Sequence, residues 1–506
     1  MSGSVIYLVR SWPRLSQTFI CNEVLALERR GVSIELFSMV HSGEHVVQPQ
    51  VSDVRARVRY LDEPLGWRAG LAAHARVLRA SPARYLRVVL FALMHPGLSA
   101  GYATASVLGC LQAAVRVSAT LLRLREAGRP PLHLHAHFAH DPALVALLVH
   151  RLTGVTYTFT AHARDLLQIP APNLARRAAE AQALVTCCQA NADYIDATVP
   201  ATARPPVRVV RHGVDLDQFR PAQTRPDAAV PTVVTVGRLV EKKGFTDLLA
   251  VLSQVKASGH SFTCFIYGGG PLRQTLLAAR EQLGLTEEVL LLGEQNREQI
   301  VAALTIADAF VLTPVHTDDG DRDGIPNVLV EAMACAVPVV STTAGGIPEL
   351  IHDGLNGLLT APGDVEAVAT RIEKLLDNPD LRRELGMAGR QTVDRAPTFV
   401  GSGAWTDPAT KITYPQVFTI TLPSTGHRLV VRPAFPAQTI PVLGIGDAIW
   451  EGVVEVEGTA AGGRRVTGRG YRELVGYRRR TAPATPAAGA GWKPAPRPKA
   501  AGGRGR

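Results

Sequence analysis

The chain has 506 residues, and 54 Lys and Arg against 44 Asp and Glu give a formal net charge of +10. At about 100–200 residues per domain this length implies roughly three or four units, and 46% hydrophobic with 19% charged residues excludes wholesale disorder and a collagen-like fibre. Eight Lys or Arg and no acid lie between Arg478 and Arg506, so +8 of the +10 sits in the tail; the remaining +2 gives no reason for the folded body to bind nucleic acid.

The N-terminus opens on an apolar run of strand length, Val5–Val9, without the basic segment of a signal peptide. Phe19 to Arg30 has helical periodicity and stops at Gly31, and Ser33–Phe37 is the next strand. Val88 to Val115 carries no charged residue and is long enough to span a bilayer. His95-Pro96-Gly97 and the polar residues after it interrupt the run, which therefore reads as a buried helix, a break and a second helix. The surrounding segment is rich in arginine and poor in acids, including Arg68, Arg76, Arg79, Arg84 and Arg87. It is either a solvated helix face or a surface resting on anionic lipid heads.

Strands follow at Leu132–Ala136, Tyr157–Thr160, Ala183–Cys187 and Val207–Val210, with helical segments between most of them. This βαβ alternation predicts a parallel sheet covered on both faces. Residues 221–231 are polar and Pro-rich, a linker, and the alternation then restarts. Strands are expected at Thr232–Val236, Ser261–Tyr267, Val289–Leu292, Ala309–Leu312 and Pro338–Ser341. Helices are expected at Phe245–Ser258, Pro271–Leu283, Arg297–Ala307 and Asn327–Ala334. Beyond Ala396-Pro397 helical periodicity vanishes and short β-type runs appear at Val417–Leu422, Leu429–Val431 and Val453–Val456. The reading is two doubly wound Rossmann-like domains, 1–220 and 221–396, facing a cleft, then a short all-β segment, 397–480, and a disordered basic tail, 481–506.

The six cysteines form no CxxC pair, and no His spacing completes a zinc site, so they read as buried, reduced thiols of a cytoplasmic protein. Gly237-Arg238-Leu239 follows a strand and Lys242-Lys243-Gly244 opens a helix; Arg238 and Lys243 are candidate cations for a diphosphate. Tyr267-Gly-Gly-Gly-Pro271 is either a close backbone approach to a ligand or a plain αβ turn, and it matches neither a Walker A loop nor the GxGxxG of nicotinamide enzymes. Asp323 and Glu331, eight apart, suit recognition of sugar hydroxyls. The acid run from Asp318 to Asp323 invites a Mg²⁺ or Ca²⁺ reading but fails the EF-hand pattern. His135, His137, His140 and His162 fall at strand ends, where acid/base work or phosphate contact would be placed.

Over residues 5–395 these motifs, in this order, resemble the retaining GT-B glycosyltransferases of family 4, in their colanic-acid and exopolysaccharide branch. The resemblance is carried by Trp12-Pro-Arg-Leu-Ser-Gln-Thr-Phe-Ile20, His135-Ala-His-Phe138, Thr160-Ala-His-Ala-Arg-Asp165, Arg211-His-Gly-Val-Asp215, Gly237-Arg-Leu with Lys243-Gly244, and Asp323-Gly-Ile-Pro-Asn-Val-Leu-Val-Glu-Ala-Met333. Gly345-Gly-Ile-Pro-Glu349 completes it. It implies that Arg238 and Lys243 bind the diphosphate of a UDP- or GDP-linked donor, that Glu331 binds the ribose, and that Asp323 contacts the sugar. The backbone of Gly324, Ile325, Pro326 and Asn327 would cradle sugar and phosphate. His162 and His137 would stand near the anomeric carbon, and Ser16 and Thr18 would close over the phosphates. Asp323 replaces the family's usual Glu, and Gln17 replaces the Glu of a usual Ser-Glu-Thr.

The family's chemistry implies front-face transfer with retention, without a cofactor or metal, from a nucleotide sugar to a glycan or lipid-linked glycan at the inner face of the cytoplasmic membrane. Trp450–Gly458 and Gly468–Tyr477 are similar to the terminal strands of the lipocalin-like hydroxyneurosporene-synthase (carotenoid hydratase) superfamily, over too short a stretch to imply hydratase activity. The alternatives are a catalytically impaired fusion that binds nucleotide sugar or a partner without turnover, and a carotenoid- or lipid-modifying β-domain with a GT-B appendage.

Overall fold

The computed structural model describes residues 3–102, 104–222 and 230–394, and beyond them six strands between 398 and 474. Most of the expected linker, the junction at Pro397 and the basic tail lie outside the described residues. Two compact units divide the chain, residues 1–390 and 391–506.

The first unit holds two parallel sheets. Seven strands form the N-terminal one: β1 (Ser4–Trp12), β2 (Ser33–His41), β3 (Arg57–Tyr60), β4 (Pro131–His137), β5 (Tyr157–Ala161), β6 (Ala183–Thr186) and β7 (Val207–Val209). Their order is β3-β2-β1-β4-β5-β6-β7, with Tyr7 beside His135 and Thr160 beside Val185. Six strands form the second sheet: β8 (Thr232–Val236), β9 (Thr263–Tyr267), β10 (Val289–Gly293), β11 (Ala309–Val311), β12 (Val339–Thr342) and β13 (Leu358–Thr360). Their order is β10-β9-β8-β11-β12-β13. Both orders reverse beside the first strand of the sheet, between β1 and β4 and between β8 and β11. At such a switch point the connections leave in opposite directions and open a crevice beyond the strand C-termini.

The buried strands are apolar throughout because helices cover both faces. Ile6 and Leu8 on β1, Leu134 and Ala136 on β4, and Val233 and Val234 on β8 are all fully buried. The uncharged run behaves as expected from its interruption: a helix over Pro82–Met94, a 3₁₀ turn over Pro96–Ser99, then a helix over Val107–Glu126. The last is long and apolar enough to cross a membrane, but two-thirds of its most apolar window is buried, packed against the helix Asp141–Thr153. In the first unit the expected elements agree with the observed ones to within four residues at their ends, as fraying ends do.

In the second unit β14 (Thr398–Thr406), β15 (Thr413–Leu422), β16 (His427–Pro433), β17 (Thr439–Pro441), β18 (Ala448–Thr459) and β19 (Arg465–Leu474) form an antiparallel sheet. The loss of helical periodicity after residue 397 thus marks a change from parallel to antiparallel pairing.

Candidate functional site

The two switch points bound one cavity of about 390 Å³, and all the sequence-predicted site residues except His137 line it. Ser16 and Gln17 come from the loop after β1 and Thr18 from the start of the helix Thr18–Arg29, His162 from the end of β5, Arg238 and Lys243 from the turn after β8, and the segment Asp323–Glu331 from the loop and helix after β11. A Rossmann sheet delivers residues this way because every parallel strand ends on the same edge, so loops far apart in sequence become neighbours.

Two glycines make the donor-side turns feasible. Gly244 adopts φ +67°, and a Cβ there would lie 1.7 Å from the carbonyl oxygen of Thr313. Gly268, at φ +142°, would place a Cβ 1.8 Å from that of Gly237. A side chain at Gly244 would push the β8 turn away from the loop after β11, and one at Gly268 would force the β8 and β9 turns apart. The glycine run after Tyr267 therefore packs against the Arg238 loop, while Gly268 and Gly269 still line the cavity.

Asp323 faces two cations: Lys243 Nζ lies 2.6 Å from its Oδ2 and Lys242 Nζ 3.4 Å from its Oδ1. Burial pushes the Asp323 carboxyl up, but the two ammonium groups outweigh it and hold it below the ordinary range. Lys242 also reaches Asp321 at 2.9 Å, and Arg164 lies 3.3 Å from the other oxygen of Asp321. The acid run that invited a cation reading is thus compensated by neighbouring lysines and arginine.

Glu331, on the helix Asn327–Ala334, is the opposite case. Burial lifts its carboxyl from 4.5 to about 7, against the pull of the Arg297 charge. Pro326 stands at the N-cap of this helix.

The histidines separate into different environments. His162 lines the cavity; its backbone N–H donates to Asp165 Oδ1 at 2.9 Å, and its Nε2 is enclosed without a partner. Burial first, then the rings of His212 and His137, hold it neutral well below its ordinary pKa. His137 is fully buried behind Tyr7 and Phe19, outside the cavity lining, with its Nε2 3.5 Å from Glu23 Oε2. The resemblance puts it beside the anomeric carbon; in this structure its side chain lies in the layer beneath Phe19, where burial lowers its pKa to about 3. His135 is consumed by the sheet, its two ring nitrogens bonded to Thr158 and Thr160 at 2.8 and 3.0 Å. His140 reaches the cavity wall.

Sequence reasoning missed several residues. Arg297, buried at the start of a helix of the second sheet's domain, takes its backbone N–H to Gln48 Oε1 at 3.0 Å and places its guanidinium 5.3 Å from the Phe219 ring. It thereby ties the two halves of the cleft, and nothing local marks it. His212 stacks on Phe19 at 4.4 Å and bonds Asn327 Oδ1 through Nδ1 at 2.9 Å. Glu349 accepts the backbone N–H groups of Gln189 and Ala190 at 2.8 and 2.9 Å, and Arg211 lies 3.1 Å away. Its carboxylate sits on the N-terminus of the helix Gln189–Thr198, where unpaired amides favour an anion. His212 and Glu349 lay in noted motifs, but Asn327 for the first, and Gln189, Ala190 and Arg211 for the second, come from the opposite domain.

Two α/β domains with their switch points facing one cleft define the GT-B fold. Its solved relatives include sucrose-phosphate synthase of Thermosynechococcus elongatus (TM-score 0.57, 17% identity, 77% of this chain and 94% of that one). Anabaena HepE in complex with UDP and glucose is another (TM-score 0.56, 17% identity, 77% and 95%).

Residues 218–392 match the family described as "Glycosyl transferases group 1". The chain is 26% identical over 371 residues to Escherichia coli WcaL, a glycosyltransferase ascribed to colanic acid biosynthesis, spanning 72% of this chain and 89% of that one. It is 36% identical over 170 residues to the amylovoran biosynthesis glycosyltransferase AmsK of Erwinia amylovora, spanning 33% of this chain and 42% of the relative. It is 34% identical over 206 residues to the GDP-mannose-dependent alpha-(1-6)-phosphatidylinositol monomannoside mannosyltransferase of Mycolicibacterium smegmatis, spanning 38% and 53%. The last two matches cover about half of each relative. Together these likenesses support a glycosyltransferase.

Proposed function

We propose that the chain is a retaining family 4 glycosyltransferase that moves a sugar from a UDP- or GDP-linked donor to a glycan or lipid-linked glycan in surface polysaccharide biosynthesis. The observation that carries the reading is the meeting of Arg238, Lys243, Asp323 and Glu331 in one cavity. Colanic acid, amylovoran and phosphatidylinositol mannoside glycosyltransferases among the relatives, and UDP and glucose in the HepE complex, agree with it.

In this reading Arg238 and Lys243 bind the donor diphosphate and stabilise the charge that develops on it as it leaves, with no metal required. Lys243 reaches the phosphate by leaving Asp323, whose carboxylate then accepts hydrogen bonds from the donor sugar. Glu331 binds the ribose diol, and Gly324, Ile325, Pro326 and Asn327 cradle sugar and phosphate. Ser16 and Thr18 close over the phosphates; Glu44 and Gln48 hold their loop at Leu15, through its N–H at 2.5 Å and its carbonyl at 3.3 Å. His162 is a neutral imidazole at physiological pH, so it acts as a hydrogen-bonding group beside the anomeric carbon rather than as a fixed cation.

The acceptor reading is peripheral contact with anionic lipid at the cytoplasmic membrane face. It is supported by the helices Trp67–Ala80 and Pro82–Met94, where Trp67, Leu71, Leu86, Leu90, Leu93 and Met94 are each more than half exposed beside Arg68, Arg79 and Arg87. For the C-terminal sheet the proposal is a partial lipocalin-like module without hydratase activity.

Calorimetric titration of UDP and GDP into the full chain tests the donor site. Micromolar binding that Lys243→Ala and Glu331→Ala each weaken is expected; absence of binding, or equal binding in all three proteins, would remove the site and favour the impaired-fusion reading.

A further inference from the structure

The C-termini of β5, β6 and β7 bring together three side chains that local spacing does not connect. His162 follows β5, Cys187 follows β6, and His212 stands three residues beyond β7. They are 25 residues apart in sequence at each step, but their strands are consecutive neighbours in one parallel sheet, so their ends lie side by side. One ligand-type atom from each lies within 4.8 Å of the other two, and all three residues line the cleft. We propose that His162, Cys187 and His212 form a binding site for a thiophilic divalent cation, Zn²⁺ first among them, whose occupation blocks the cleft.

The donor set fits that ion. Two imidazoles and one thiolate, with a fourth position open to the cavity, match its preference for nitrogen and sulfur at about 2.0–2.1 and 2.3 Å in a tetrahedron. Tetrahedral coordination needs ligand atoms about 3.5 Å apart, so small inward rotations of the three side chains close the site.

The rings are already prepared. His212 is pinned by the Phe19 stack and by Asn327 Oδ1 at Nδ1, which fixes the proton there and leaves Nε2 as the lone pair. His162 carries an enclosed Nε2 without a hydrogen-bond partner, unusual for a buried ring nitrogen unless a ligand is meant to take it. The Cys187 thiol gives up its proton to solvent as the metal–sulfur bond forms.

The consequence follows from position. A Cβ on Gly324 would lie 3.3 Å from the Cys187 sulfur, so an ion held there sits beside the Gly324–Asn327 backbone and at His162. Zn²⁺ would compete with donor sugar, making it an inhibitor rather than a catalyst. This inhibition rests on the transferase reading; the binding does not.

Co²⁺ titration of the full chain reads the site directly. Wild-type protein should develop a thiolate-to-cobalt charge-transfer band in the near ultraviolet, saturating at one equivalent and discharged by Zn²⁺. Cys187→Ser should lose the band, Cys188→Ser should keep it, and Asn327→Ala should weaken Co²⁺ by about 10- to 100-fold by releasing the His212 ring. Absence of the band in wild type, or its survival in Cys187→Ser, would overturn the proposal. In the transfer assay Zn²⁺ should inhibit wild type, reversibly with chelator, and spare Cys187→Ser. Zn²⁺-insensitive transfer with the cobalt band present would refute the blockade while leaving the donor reading intact.

Discussion

Glu331 offers the sharpest test because stability and ligand binding should move in opposite directions when it is neutralised. Its carboxyl is raised from 4.5 to about 7 by burial. A folded-state pKa above the unfolded one means that the folded protein holds the proton more tightly. Stability therefore falls as pH rises from 4.5 towards 7 and stays reduced above it. At about 1.36 kcal/mol per pH unit, the full cost is about 3 kcal/mol at pH 8, and under about 1 kcal/mol at pH 5. Glu331→Gln keeps the shape and removes the ionisation, so its midpoint of thermal unfolding should match wild type at pH 5 and exceed it by several degrees at pH 8. The same substitution should weaken UDP, since an amide accepts fewer hydrogen bonds from a ribose diol than a carboxylate. Wild-type UDP affinity should itself fall by about tenfold between pH 8 and pH 6 as Glu331 takes up its proton. Scanning calorimetry across this pH range, paired with UDP titrations, checks both. Parallel unfolding profiles for the two proteins would refute the argument that Glu331 is ionised at a cost to the fold.

Lys243→Ala removes a cation proposed to charge-pair with phosphate, so UDP should bind about 10- to 100-fold more weakly while uridine is unaffected; equal losses for both ligands, by calorimetry, would contradict the assignment. His162→Ala should lower turnover by about a hundredfold with donor affinity within about twofold, and wild-type turnover would clear it of a role at the reacting carbon. Glu349→Ala strips the carboxylate from the amides of Gln189 and Ala190 and should lower kcat/KM by about tenfold, with UDP affinity nearly unchanged; loss of UDP affinity in proportion would show that Glu349 acts on the donor side alone.

Much of the fold was legible before any coordinates. The alternation of apolar runs and amphipathic segments, the restart after the Pro-rich stretch, and the loss of period 3.6 after residue 397 are local properties, and periodicity reports local backbone directly. That Arg238, Lys243, Asp323 and Glu331 share a cavity could be anticipated too, because each lies in the loop or helix that follows a strand, and strand ends of parallel sheets open on a crevice.

What lay beyond sequence reasoning depended on partners supplied from elsewhere in the chain. Whether a strand-end histidine opens to the cleft or sinks beneath it depends on the pleat and on what covers it, so His162 reached the cavity while His137 went under Phe19. The opposite fates of two carboxylates on neighbouring segments, Asp323 held down by Lys243 and Lys242 and Glu331 pushed up by burial, are set by charges and dielectric that only packing assembles. Arg297 against Gln48 and Phe219, and the juxtaposition of His162, Cys187 and His212, are of the same kind. Sequence spacing records which residues share an element; only the lateral order of the strands decides which elements share an edge.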